Sequence, residues 1–175
     1  VGSEMCIRDR HYIDKKVDKS LLDEMLSAAN LAPSWKNSQT PRFYVATGEK
    51  SKNAVREALP EFNRKNSENA SAYIVTTVVL NRSGFDKDGT AVTEIGNGWG
   101  YYDLGLNNMA LLLKATELGI STLVMGIRDG EKLRKEFDIP ETEAVVSVIA
   151  VGYTDSEIVR PKRKSVEDFA KFYED

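Results

Sequence analysis

The side chains best suited to bind a ligand lie in one polar stretch, Pro33-Ser34-Trp35-Lys36-Asn37-Ser38-Gln39. This stretch follows the first amphipathic helix of the sequence and precedes the first strand. Ser offers a hydroxyl, Asn and Gln offer paired donors and acceptors, and backbone amides outside a regular ladder stay available. Such a set suits a flat, hydrogen-bonding heterocycle. The alternative is a polar turn between helix and strand, for which Ser and Asn are common residues.

Composition excludes several other kinds of chemistry. The 24 basic and 27 acidic side chains give a net charge of −3, so we predict no nucleic-acid partner. Cys6 is the only cysteine, which rules out an internal disulfide framework and cysteine-rich metal sites. His11 is the only histidine, which disfavours a histidine metal cluster or a Ser-His-Asp triad. Hydrolytic and zinc chemistry therefore lose most of their usual side chains.

Length and hydropathy patterning predict a single domain with no membrane contact. At 175 residues the chain suits one domain. No apolar run approaches the roughly 20 residues of a membrane-spanning helix, and no signal-peptide pattern opens the chain, so we predict a cytoplasmic location. Residues 1–9 show no periodicity, and we expect them to be a non-native or disordered leader before a domain over residues 10–175.

Periodicity places these residues on an alternation of helices and strands. The continuous apolar run Ala72–Leu80 predicts a strand buried on both faces in the middle of a sheet. The segment 81–98 is a loop by composition and a candidate lid. The patterns predict further strands over 42–47, 121–125 and 144–151, and helices from Val17 up to Pro33, over 50–59, 99–118 and 129–137, and after Ser165.

This order predicts an α+β layer protein in which helices cover a sheet of about four strands. The apolar residues of helix 99–118 occupy more than one stripe, which indicates burial on several sides or a subunit interface. At its start, Trp99, Tyr101 and Tyr102 could border a substrate, but core or interface aromatics are the favoured interpretation.

Four motifs together resemble the FMN-dependent nitroreductase family, over nearly the whole chain from Arg10 to about Asp168. The first motif is Arg10-His11-Tyr12, and the second, Ala32 to Gln39, is similar to the family's Pro-Ser-x-x-Asn-x-Gln signature. The others are Asp103-Leu104-Gly105, and Leu118-Gly119 with Met125-Gly126. The resemblance implies a three-layer fold with a mainly antiparallel sheet of four to five strands and a long central helix at a dimer interface.

The resemblance also implies which residues contact the flavin ring. Pro33, Ser34, Asn37 and Gln39 would meet an FMN bound mainly by the other subunit. Asn63 would lie near the pyrimidine end of the ring, with an exposed loop asparagine as the alternative. Met125 and Gly126 would border the ring, and the Gly126 backbone N–H would face N5, where negative charge develops on reduction; a plain strand-end turn is the alternative.

A phosphate dianion needs several cations, and the resemblance makes Arg10, Lys162 and Arg163 the candidates. The alternative for the tail is a solvated basic run. The chain departs from the family where Gln39 is followed by Thr40-Pro41-Arg42 in place of Pro-Trp, and where Cys6 and Arg8 replace an Arg and a Ser. We therefore expect weakened retention of FMN.

The activity implied by the resemblance is that of a homodimeric oxidoreductase. It would take hydride from NAD(P)H and reduce nitroaromatics, quinones or similar electron-poor small molecules by a ping-pong mechanism. FMN would carry the redox chemistry, so no catalytic side chain is expected. Two alternatives stay open: a specialised flavin dehydrogenase or dehalogenase of the same fold, and a non-catalytic flavin-binding protein that responds to redox state.

Overall fold

An antiparallel sheet forms the centre of the protein. The computed structural model describes residues 11–155 and 162–174. Over these ranges the strands are β1 (Tyr12–Ile13), β2 (Pro41–Ala46), β3 (Ala72–Val79), β4 (Ser121–Met125) and β5 (Glu143–Thr154). β5 pairs with β1, β3 and β4, β3 also pairs with β2, and every pairing is antiparallel. The predicted α+β class and mainly antiparallel sheet are confirmed.

Helices cover both faces of the sheet. They are α1 (Lys19–Asn30), α2 (Glu49–Glu57), α3 (Glu61–Asn66), α4 (Gly98–Glu117), α5 (Gly130–Glu136) and α6 (Val166–Phe169). Successive residues of β5 point to opposite faces, as the pleat of a strand requires. Ile149 packs in a core with residues of α1 and α4, whereas Val148 packs in a second core with residues of α2 and α5. The three-layer arrangement is therefore confirmed.

The position of β3 agrees with its apolar sequence. β3 lies between β2 and β5, and all but its last residue are buried. Because both faces of this strand are covered by helices, a continuous apolar run serves it better than an alternating one.

Two elements differ from the sequence-based expectation. Pro60 does not only end the helix before it; it is also the N-cap residue of α3. Proline suits a helix start because its missing N–H is not needed there. β1 has only two residues, too few to show a period, and it forms because Tyr12 and Ile13 pair with Thr154 and Tyr153.

The long predicted helix is confirmed as α4. Gly119 follows its C-cap with a φ of +70°, a conformation that glycine adopts readily. Leu104 and Leu111 are buried, but Tyr102, Met109 and Leu113 are exposed at spacings of seven and four residues. These three residues form an outward stripe on α4, because seven residues make about two turns and four about one.

Segment 81–98 is irregular, as predicted, and it is tied to the start of α4. Phe85 and Ala91 form a bridge, and the Asn97 side chain donates to Asn81 Oδ1 over 2.9 Å. The Trp99 ring N–H donates to Thr93 Oγ1 over 2.7 Å. A Cβ at Gly84 would lie 2.6 Å from the Gly96 carbonyl oxygen, so the backbone closes tightly on itself. None of the described helices is long and apolar enough to cross a membrane.

Candidate active site

The end of β4 and the helix α3 form one cavity of about 270 Å³. Met125, Gly126 and Asn63 line it together with Ile127. The Asn63 side chain is 7% exposed and donates from Nδ2 to the Ile127 carbonyl oxygen over 3.0 Å. This bond joins α3 to the segment after β4. The exposed loop asparagine considered as an alternative is therefore wrong.

Gly126 is exposed at the mouth of this cavity and is not required by the fold. Its φ lies outside the left-handed region, and a Cβ at this position would meet no atom within 4 Å. The protein itself would therefore accept a side chain here. The open space in front of Gly126 suits close approach of a ligand to the backbone.

The polar loop 33–40 holds an unusual backbone conformation. Lys36, Asn37 and Gln39 have positive φ angles of 46°, 56° and 48°. Such a conformation costs a non-glycine residue about 1–3 kcal/mol, and it persists where the surroundings hold it. Within the loop, the Ser34 hydroxyl accepts from the Gln39 backbone N–H over 3.0 Å, and Gln39 Nε2 donates to Asn37 Oδ1 over 3.2 Å.

A buried carboxylate on α4 accepts a hydrogen bond from the backbone of this loop. Asp103 is 2% exposed, and both of its oxygens lie 3.1 Å from the Trp35 backbone nitrogen, which donates to them. The Ser83 hydroxyl also donates to this carboxylate. Ser83 Oγ lies 2.6 Å from Ser38 Oγ, so the hydrogen bonds reach the loop at a second point.

The loop borders a second cavity of about 320 Å³. Ser34 and Gln39 line it together with Arg42 and Asn107. This cavity shares no lining residue with the cavity beside Gly126. One chain therefore brings Asn63, Met125 and Gly126 together, but it keeps Ser34 and Gln39 at a separate place.

The remaining predicted residues line neither cavity. Pro33 and Asn37 are exposed on the loop, and Lys162 and Arg163 are exposed before α6. Arg10 lies outside the described residues, as does the predicted leader over residues 1–9.

The aromatic residues near the loop divide into packing and surface groups. The rings of Trp35 and Trp99 lie 4.7 Å apart, so Trp99 packs the loop against the start of α4. Tyr102 makes an edge contact with Trp99 at 5.8 Å but is largely exposed, and Tyr101 is exposed as well. The predicted packing role therefore fits Trp99, and the two tyrosines lie at the surface.

Residues that sequence reasoning missed also line the first cavity. Phe62 and Asn66 lie on α3 with Asn63, and Ile127 follows Gly126. The spacing of 62, 63 and 66 places these side chains on one side of a helix. That signal was available, but a six-residue helix is too short for its period to stand out.

A larger cavity of about 560 Å³ contains none of the predicted site residues. Its lining includes the charged residues Lys15, Lys16, Lys52 and Arg56, with Asp14 and Glu49 opposing them. Lys52 is already paired with Glu49 at 2.6 Å. Size alone does not make it the active site, because its lining is dominated by charged side chains, whereas the cavity beside Gly126 is lined by apolar and amide side chains.

The sheet, the two helical layers and the cavity at the end of β4 define a three-layer α+β protein of the nitroreductase fold. The profile of the Nitroreductase family matches residues 6–153, and the chain belongs to this family of oxidoreductases. A protein of Archaeoglobus fulgidus, provisionally named an NADH dehydrogenase/NAD(P)H nitroreductase, is 27% identical over 155 residues, which cover 85% of this chain and 80% of that protein.

Solved structures agree with this assignment of the fold. A nitroreductase family protein of Streptococcus pneumoniae superposes with a TM-score of 0.80 at 22% identity, over 97% of this chain and 96% of its own. A structure described as an oxidoreductase containing FMN superposes with a TM-score of 0.73 at 24% identity, over 85% of this chain and 73% of its own.

Proposed function

We propose that this protein is an FMN-dependent oxidoreductase that takes hydride from NAD(P)H and passes it to an electron-poor small molecule such as a nitroaromatic or a quinone. The observation that carries the proposal is the cavity lined by both a buried amide, Asn63, and an exposed glycine, Gly126. Family membership adds the oxidoreductase class.

The donors and acceptors of this cavity fit the edge of a flavin ring. Asn63 uses Nδ2 on the Ile127 carbonyl, which leaves Oδ1 as an acceptor for a ligand N–H. The Gly126 backbone N–H would stabilise negative charge at the ring, because a fixed donor needs no rearrangement when the charge develops. FMN, when bound, would supply the hydride acceptor and donor, and the protein would supply position and fixed dipoles.

We infer that two copies of the chain complete each site. The loop residues Ser34 and Gln39 lie at a cavity separate from that of Asn63 and Gly126, as expected if the two sets meet across a subunit boundary. The outward stripe of Tyr102, Met109 and Leu113 on α4 offers an apolar surface for such a contact.

The C-terminal segment supports the same arrangement. Phe169, Phe172 and Tyr173 are exposed, Tyr173 to 87%. Exposed aromatic side chains gathered in one segment are typical of an interaction surface. Lys162 and Arg163 lie just before them, and together with Arg10 they are our proposed ligands of the FMN phosphate.

An absorbance scan and an oxidation assay test the proposal. In equilibrium dialysis against FMN, the protein compartment should hold more flavin than the buffer, measured by the absorbance band near about 450 nm. With menadione or nitrofurazone the protein should oxidise NADH or NADPH, and initial rates should give parallel double-reciprocal lines. Intersecting lines would contradict the ping-pong mechanism alone.

Two other results would contradict more of the proposal. Protein that binds no FMN at high micromolar concentration would overturn it entirely. Bound FMN that neither NADH nor NADPH reduces would favour a non-catalytic flavin-binding protein. Turnover with one narrow class of substrate, in the absence of menadione or nitrofurazone reduction, would favour a specialised dehydrogenase or dehalogenase.

A further inference from the structure

We propose that Asp103 is a positioning residue that fixes the flavin-contacting conformation of the loop 34–39. The inference rests on the proposed function, because it assumes that this loop meets a flavin. Asp103 itself lies under the loop, and it does not line the cavity beside Gly126 or the cavity beside Ser34. Its effect would therefore pass through the residues that it holds.

The hydrogen bonds of Asp103 connect three separate segments of the chain. The carboxylate accepts the backbone N–H of Trp35 and the hydroxyl of Ser83, and it belongs to α4. The Ser83 hydroxyl also meets Ser38 at 2.6 Å and Thr40 at 3.5 Å. The loop is thus held near its beginning, through Trp35, and near its end, through Ser38 and Thr40.

The loop needs such support because its own backbone is strained. Lys36, Asn37 and Gln39 are the non-glycine residues with positive φ between these two anchors. A short segment with three such residues is stable only where contacts from outside determine its shape. Asp103 supplies these contacts from a rigid helix, so Ser34, Asn37 and Gln39 can be held ready before a ligand arrives.

The residues around Asp103 are tightly packed, so the loop has little room to adopt another conformation. A Cβ on Gly100, one turn before Asp103, would lie 2.8 Å from a Val78 methyl and 3.8 Å from Ser83 Cβ. Ser83 and Thr40 are each 1% exposed. α4 therefore presses closely on the strand and the loop, and water has little access to replace a lost hydrogen bond.

Asp103 also lacks an ion-pair partner among the described residues. A buried acid without a cation depends on its hydrogen-bond donors. The Trp35 N–H and the Ser83 hydroxyl stabilise the buried carboxylate of Asp103, and Asp103 in turn holds the loop. This mutual dependence makes the position sensitive to a change as small as carboxylate to amide.

The main test compares Asp103→Asn with the wild type. Asparagine has the same shape but one acceptor oxygen, and its NH₂ group would face either the Trp35 N–H or the Ser83 hydroxyl. We expect the Kd for FMN to rise by about tenfold, in line with the loss of one charged hydrogen bond. The visible circular dichroism of FMN at saturation should also change, because the loop would present a different surface to the ring.

Glu143→Gln is the matched control. Glu143 is another buried acid, and it accepts hydroxyl hydrogen bonds from Thr77 and from Tyr44 without contacting the loop. Glu143→Gln should lower the thermal midpoint of flavin-free protein at least as much as Asp103→Asn does. It should leave the Kd for FMN and the dichroism spectrum unchanged.

A second variant keeps the inference testable if Asp103→Asn does not fold. Ser83→Ala keeps the carboxylate and removes its hydroxyl link to Ser38, so it should weaken FMN binding in the same direction by a smaller factor. The inference is overturned if wild type binds FMN and both foldable variants bind it with wild-type Kd and spectrum. It is also overturned if Glu143→Gln weakens FMN binding equally, since the effect would then be general destabilisation. Absence of FMN binding by the wild type would instead overturn the proposed function itself.

Discussion

Asn63 and Gly126 are the two residues of the candidate site on which the proposed flavin contacts depend. The amide of Asn63 is buried and already fixed by one hydrogen bond, so little conformational freedom is lost when a ligand binds. Gly126 has neither a steric nor a conformational reason within the chain to be glycine. At the mouth of a cavity, such a glycine fits the proposed approach of the flavin to the backbone.

Gly126→Ala tests this reasoning at the residue scale. The added methyl group should leave the free energy of unfolding of flavin-free protein within about 0.5 kcal/mol of wild type, the usual range for surface substitutions. The Kd for FMN should rise by about tenfold, because the backbone could no longer approach the ring as closely. Flavin fluorescence titration measures the affinity and urea denaturation measures the stability.

Gly130→Ala is the control for this change. Gly130 lies four residues further on, its Cβ would make only an ordinary contact with Val145 Cβ at 3.8 Å, and it does not line the cavity. Equal flavin binding by Gly126→Ala and Gly130→Ala would contradict the role assigned to Gly126.

At the scale of elements, α3 is held to the sheet by one buried tyrosine. Tyr73 on β3 donates from its hydroxyl to the Ser67 carbonyl oxygen at the end of α3, over 2.7 Å. Burial raises the pKa of the Tyr73 hydroxyl above its usual value. The link therefore depends on a hydroxyl that must stay protonated, and α3 carries Asn63.

This link predicts a pH dependence of stability. The unfolded tyrosine loses its proton near about pH 10, whereas the folded one retains it. The stability from this group is therefore fully present below about pH 10 and is lost as pH rises further. Tyr73→Phe should lower the free energy of unfolding by about 1 kcal/mol at pH 8, since the Ser67 carbonyl loses one donor and keeps the Ala70 backbone N–H. This loss of stability should become smaller by pH 11.

Urea denaturation at several pH values measures the effect. Tyr101→Phe changes an exposed tyrosine and is the control. Its free energy of unfolding should differ from that of the wild type by the same amount at every pH. The prediction is wrong if the difference in free energy of unfolding between wild type and Tyr73→Phe is the same at pH 8 and pH 11.

The ring of Tyr12 on β1 packs directly against Gly152 on β5. A Cβ at Gly152 would lie 2.6 Å from Tyr12 Cδ1 and 3.3 Å from the Ser71 backbone nitrogen. The Tyr12 hydroxyl donates to the Ala150 carbonyl oxygen over 3.2 Å, so the ring is fixed at both ends. Only a residue without a side chain fits beneath it.

Gly152→Ala should therefore destabilise the protein by about 1–3 kcal/mol, the usual cost of overpacking a close contact. The midpoint of urea unfolding at a constant m-value reports this change. Gly130→Ala serves again as the control and should have little effect. A stability equal to wild type would mean that Tyr12 moves aside without cost.

At the scale of the whole molecule, the outward stripe of α4 and the exposed C-terminal aromatics argue for a second copy of the chain. The proposed flavin site would require that copy, because Ser34 and Gln39 do not share a cavity with Gly126. Oligomeric state and flavin binding should therefore change together.

The double substitution Met109→Glu with Leu113→Glu tests this coupling. Two carboxylates in the stripe would be costly to bury, so the mass measured by light scattering should fall from about twice 19.5 kDa to that value. FMN should be lost at the same time. Val92→Glu changes an exposed apolar residue of segment 81–98 and should preserve both properties. A wild-type monomer that retains FMN would contradict the shared site.

Much of the fold was predictable because its signals are local. The apolar run of β3 and the helical period of α4 depend on neighbours a few residues away, and the predicted bounds of these two elements agree with the structure to within one residue. The Ser34-to-Gln39 motif was recognised for the same reason, since its residue types and spacing lie within one short stretch.

Contacts between distant residues were decided only by the tertiary structure. The sequence does not show that Asp103 meets Trp35, 68 residues away, or that Asn63 is buried against Ile127. These contacts depend on how α3 and α4 pack on the sheet, and packing sums many small interactions that no local pattern records. The sequence alone therefore determined which residues suit a planar ligand, while the packing of α3 and α4 decided which of them share a cavity and which buried groups hold them in place.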